Sequence, residues 1–215
     1  QGATRDPRYA EALELLKAGK PKQAEPLLKA VAEDKVKLAD VRKKEAAEAY
    51  RNLASIAGLT DTQAARKYYA EAARLDPDNL NVLANHALAQ QMAGNSDVAE
   101  KAFKRLLEIG ARTGAGQSVY MAHLGLGNIY SVRGELVGAA EQFEKARVVI
   151  AELQKASPGD TYLKAFHFMS LDGFATALKA KGDLAKAEET YVTAFKIVSE
   201  LVAKEPGNRA FQFGL

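Results

Sequence analysis

The sequence predicts an all-α protein made of helix pairs stacked side by side, and three observations predict it. Long stretches rich in Ala, Leu, Glu and Lys, all good helix formers, are separated by Gly and Pro. No segment alternates apolar and polar residues for long enough to read as a strand. A four-point pattern recurs five times: a turn residue, Ala five positions later, a large apolar residue four after that, and usually Ala three further on.

Taken in order, the occurrences are Gly19, Ala24, Leu28 and Val31; Thr60, Ala65, Tyr69 and Ala72; Gly94, Ala99, Phe103 and Leu106; Gly134, Ala139, Phe143 and Ala146; and Gly182, Ala187, Tyr191 and Ala194. Offsets of four and three place the last three side chains of each set on one helix face. The alanine lets two helix backbones approach closely and the large residue fills the space above it. Seven residues before each turn glycine stands a small residue, Ala12, Ala87, Gly127 or Ala175, where a facing helix must fit. The turn glycines suit the left-handed conformation that ends a helix.

This pattern resembles the tetratricopeptide repeat family. Leu126-Gly127-Asn128-Ile129-Tyr130 followed by Gly134, Ala139, Phe143 and Ala146 is the best single unit. The run Ala72-Ala73-Arg74-Leu75-Asp76-Pro77-Asp78-Asn79 carries the family's closing proline turn. The resemblance covers about Tyr9 to Asn208 and implies a right-handed superhelical solenoid of about five units, near 5–38, 40–79, 80–116, 117–159 and 160–207. Residues 208–215, with Phe211, Phe213 and Leu215, read as the start of a sixth first helix, so the chain reads as a fragment of a longer array. The alternative is that these residues fold back on the last helix or dock against a second copy.

The chain departs from the family's regular form. Its alanine-to-alanine intervals are 41, 34, 40 and 48 residues, against a family period of about 34. Val148 to Lys155 and Ile197 to Lys204 read as added helical turns stopped by Pro158-Gly159 and Pro206-Gly207. Gly110 to Gly116 reads as an inserted loop, and Pro26 should kink or delay the second helix. In the second unit Asn52-Leu53-Ala54 aligns only with a one-residue shift. Units with such long helices resemble those of multidomain bacterial signalling proteins.

The balance of 47% hydrophobic and 27% charged residues is that of a soluble globular chain. Its net charge of +3 is interspersed, and no basic block marks a nucleic-acid footprint. No apolar run approaches the roughly 20 residues a membrane-spanning helix needs. With no cysteine, disulfides, thiolate metal sites and cysteine nucleophiles are excluded. Gln1-Gly2 reads as a processing or tag remnant. The compartment stays open: the balance leans to the cytoplasm, and a removed signal peptide would make it the periplasm.

The residues point away from catalysis. His86, His123 and His167 lack helical metal-ligand spacing, and His86 and His123 fall at packing positions. Gly125-Leu126-Gly127 and Gly114-Ala115-Gly116 lack the strand and the Gly-Lys-Ser/Thr of phosphate loops. No enzyme, cofactor or metal is expected.

The resemblance implies instead a protein-interaction scaffold whose first helices line a concave groove for a peptide or partner domain. Its groove positions here are Tyr9, Arg51, Asn52, Ser55, Asn81, Asn85, Gln91, Met92, Met121, Asn128, Asp172 and Lys179. Asn52 and Asn85 can each pair with a peptide backbone, because an amide both donates and accepts. Tyr9, Met92 and Met121 supply adaptable apolar contacts, and Gly125 and Gly173 are expected to widen the groove. Asn52, Asn85 and Arg51 lack the further basic residues of units that clamp a carboxyl terminus, so chaperone-tail recognition is not expected. The alternative function is a regulatory or oligomerisation segment of a larger signalling protein, self-associating through the C-terminal end.

Overall fold

The computed structural model describes residues 6–58, 60–205 and 207–208. These form nine α-helices and no strand: α1 (Pro7–Lys17), α2 (Pro21–Ala57), α3 (Thr62–Leu75), α4 (Leu80–Met92), α5 (Ser96–Thr113), α6 (Gly116–Val132), α7 (Leu136–Ala156), α8 (Thr161–Lys181) and α9 (Leu184–Lys204). Each helix packs chiefly on its neighbours in sequence, with α2, α4, α6 and α8 also touching in succession. The result is an all-α solenoid of stacked antiparallel pairs. The expected start of a sixth helix falls on residues 209–215, outside the described residues.

Local chemistry sets most helix boundaries. At four starts a short side chain accepts from amides the helix leaves free. Asp6 takes the Arg8 amide at 3.0 Å and Asp61 the Ala64 amide at 2.9 Å. Asn79 takes those of Asn81 and Val82 at 3.1 and 3.3 Å, and Asp160 those of Tyr162 and Leu163 at 2.8 and 3.1 Å. Four turn glycines, Gly19, Gly94, Gly134 and Gly182, have φ of +71°, +76°, +75° and +87°.

The repeated small residues meet as their spacing predicts. Ala24, Ala65, Ala99, Ala139 and Ala187 are all buried, as are Ala12, Ala87, Gly127 and Ala175 opposite them. In the second unit Ala54 is fully buried while Leu53 is 47% exposed, which is the one-residue shift the alignment requires. Phe103, Leu106, Leu126 and Ile129 fill the core of α4–α6. Phe143, Phe174 and Leu178 fill that of α7–α9. Between these, Tyr120 stacks on Phe166 at 5.4 Å and its hydroxyl donates to the Phe166 carbonyl at 2.8 Å.

Two local expectations are overturned and a third boundary looks different. Pro26 neither delays nor interrupts its helix, which starts at Pro21 and runs for 37 residues. Pro26 is exposed and lies in the second turn of that helix. The same helix passes straight through residues 38–40, where the repeat period places a unit boundary. It serves as second helix to α1 and first helix to α3, and residues 37–45 between those contacts are all exposed. Gly110 to Gly116 is not an inserted loop: α5 continues to Thr113, and only Gly114 and Ala115 link it to α6. Gly110 stays helical because it lies against α6, where a Cβ would meet Val119 at 3.2 Å; Gly114, at φ +71°, makes the turn.

Candidate functional site

The joints between successive pairs differ in one pair of positions. Phe103 on α5 lies over Gly125 of α6, so closely that a Cβ on Gly125 would come within 2.3 Å of the ring. Phe143 on α7 is wedged between Gly127 of α6 and Gly173 of α8, where a Cβ would approach it to 2.8 and 2.6 Å. A phenyl ring of one pair thus plugs a glycine notch in the next. Gly125 and Gly173 therefore do not widen a groove, because rings fill the space they leave.

At the α3–α4 joint the same two positions hold Tyr69 and Asn85. Asn85 brings a side chain where the two later joints have glycine, and the Tyr69 hydroxyl shares a hydrogen bond with Ser55 Oγ at 3.2 Å. A cleft of about 610 Å³ opens here between α3 and α4, walled by Ala65, Tyr69, Leu88 and Met92 with Arg66 and Asn85 among its polar groups. No hydrogen bond or ion pair among the described residues engages the Asn85 amide or the Arg66 guanidinium. Asp61, at the foot of α3, is already committed to the Ala64 amide. A second, more polar cleft of about 310 Å³ lies between α2 and the start of α4, lined by Glu45, Glu48, Arg51, Asp76 and Asn81.

The groove residues read from the sequence are spread along the solenoid. Asn85 and Met92, the latter 85% exposed, line the first cleft, and Ser55 holds its Tyr69 wall. Arg51 and Asn81 line the second, with Arg51 3.4 Å from Glu48. Asn52 and Asn128 are exposed on α2 and α6, Tyr9 is exposed on α1, and Asp172 and Lys179 are exposed on α8. Gln91 donates to the Gly125 carbonyl at 3.5 Å, tying α4 to α6. Met121 is partly buried against the cores on either side of it. Sequence reading missed Arg66 and Leu88, and took Tyr69 only as a packing residue. The signal was present in the register: Asn85 stands where Gly125 and Gly173 stand, nine residues before their turns.

The histidines are held by packing. His123 and His167 each share a hydrogen bond with a glutamine of α7, Gln142 at 2.8 Å and Gln154 at 2.7 Å. His86 Nδ1 is buried with no partner among the described residues. Burial pushes all three imidazoles below the ordinary histidine value. Among the described residues no cluster of His, Asp and Glu could hold a metal, and no helix is long and apolar enough to cross a membrane.

Comparison with known proteins agrees with this architecture. The structure of BtubC (BKLC) from P. vanneervenii superposes with a TM-score of 0.64 at 20% identity, covering 88% of this chain and 78% of that one. MamA superposes with a TM-score of 0.55 at 18% identity, covering 90% and 96%. No curated protein matches the chain. The sequence profile described as tetratricopeptide repeat matches residues 9–80 and 84–160. The chain therefore belongs to the tetratricopeptide repeat family, whose stacked helix pairs form a scaffold for protein–protein interaction.

Proposed function

We propose that the chain binds a segment of a protein partner across α2 and α4, anchored in the cleft between α3 and α4. One observation carries this reading: at that joint the phenyl–glycine plug gives way to Tyr69 and Asn85, leaving an apolar recess of about 610 Å³ beside unengaged polar groups. A Leu, Met or Phe side chain of the partner buried against Tyr69, Leu88 and Met92 contributes about 1.5–3 kcal/mol. Asn85 and Asn52 pair with the partner's backbone, each bond contributing about 0.5–1.5 kcal/mol, so the segment is held without its sequence being read at those points. Exposed Met92 adapts its shape to the anchor.

The test compares partner binding by the wild type and two double variants, using partners recovered by affinity capture and then titrated in purified form. Asn52→Ala with Asn85→Ala should weaken binding by a few kcal/mol at most, leaving the melting temperature nearly unchanged. Leu88→Asp with Met92→Asp should abolish it, because a charged side chain then occupies the recess. Unchanged affinity in both variants contradicts the groove assignment, and unfolding of the asparagine variant would make those residues structural.

A further inference from the structure

Resting on the reading above, we infer that the α3–α4 cleft is selective for an acidic segment, one whose bulky apolar side chain is accompanied by a carboxylate that Arg66 receives. The cleft walls are apolar, Ala65 and Tyr69 from α3 and Leu88 and Met92 from α4, so the anchor is apolar. Its charged lining group is Arg66, one helical turn before Ala70 and on the face that carries Tyr69. Most other described arginines are paired with carboxylates, among them Arg8 with Asp6 and Asp34, Arg105 with Asp78 and Glu108, and Arg133 with Asp97 and Glu100, whereas Arg42 and Arg112, like Arg66, make no ion pair among the described residues. Of the described arginines without such a pair, Arg66 is the one that lines the α3–α4 recess. The two carboxylates nearest in sequence, Asp61 and Glu71, face other partners, the Ala64 amide and Arg74.

A guanidinium presents a planar fork of donors that matches a carboxylate, and at the edge of an apolar recess that match is stronger than in open water. Asn85, across the cleft on α4, offers an acceptor and a donor for the backbone between anchor and carboxylate. The arrangement therefore reads three things together: an apolar side chain, a backbone amide and an acid. A basic segment meets the opposite, since its lysines approach an uncompensated cation.

The probes are four fluorescein-labelled, capped hexapeptides: a Leu-Phe pair flanked by glutamates, by glutamines or by lysines, and a glutamate-flanked Gly-Gly. Anisotropy at low salt, with the whole chain, measures their affinity. The glutamate peptide with Leu-Phe should bind about tenfold more tightly than the glutamine one, as expected for a charge-assisted hydrogen bond. The lysine and Gly-Gly peptides should bind more weakly still. Arg66→Gln should bring the glutamate-to-glutamine ratio close to one; Arg66→Lys should keep part of the preference. Leu88→Asp with Met92→Asp should remove binding of both.

If the Leu-Phe peptides bind and respond to the Leu88 and Met92 changes, but show no preference for glutamate or keep it in Arg66→Gln, the acid selectivity is overturned and the cleft reading survives. If binding ignores Leu88→Asp with Met92→Asp, or no Leu-Phe peptide binds, the cleft reading fails with it.

Discussion

At the scale of single residues, the chain's specificity rests on which side chain meets which notch. Phe143 is held on both sides by glycines, so it cannot retreat from an added methyl. Gly173→Ala should destabilise the fold by about 1–2 kcal/mol, overpacking outweighing the gain in helix propensity, as read by denaturant titration. Phe143→Leu in the same chain should recover part of that loss, since the two changes share a contact. Ala139→Leu, at a fully buried interhelical alanine, should cost about 1–3 kcal/mol, and an unchanged melting temperature would contradict the pairing of α6 with α7. His86 occupies the register position of Leu126 and Phe174 yet leaves Nδ1 buried without a partner. His86→Leu should therefore stabilise the chain by about 1 kcal/mol.

The histidines also set a pH dependence. Burial favours their neutral form in the folded chain. Their folded values lie below the unfolded one, so their contribution is complete above about pH 6.5 and is lost as pH falls through that value toward the folded ones. Thermal unfolding should show a melting temperature that drops between pH 7 and pH 5, with a shallower drop in His86→Leu. A flat profile over that range would contradict the burial of these rings.

At the scale of elements, the helix pairs were legible because their determinants are local. The four-residue and three-residue offsets, the turn glycines and the capping residues Asp6, Asp61, Asn79 and Asp160 each act within a few positions along the chain. Sequence reading failed where a local signal was outweighed by its surroundings. Gly110 reads as a loop residue but is kept helical by the approach of α6. Pro26 reads as delaying or kinking its helix but sits exposed inside one that already begins at Pro21. Replacing it with alanine restores an N–H donor and should stabilise α2 by about 1–3 kcal/mol, visible as a rise in melting temperature. Residues 37–45 hold no glycine or proline to stop the helix there, so α2 bridges two pairs.

At the scale of the whole molecule, the solenoid is a row of similar joints, each stabilised mainly by its nearest neighbours. Two are closed by a phenyl ring in a glycine notch; the α3–α4 joint has Tyr69 and Asn85 and stays open. The groove candidates were legible one helix at a time, from position within each repeat. Which of them share a recess was not, because that depends on how completely adjacent pairs close on each other. Hydrogen–deuterium exchange on the intact chain, with and without the glutamate-flanked Leu-Phe peptide, tests this most directly. Slowed exchange confined to the segments around Thr62–Tyr69 and Asn85–Ala93 is the expected result. Slowing centred on α8 and α9, with that joint unchanged, would contradict it.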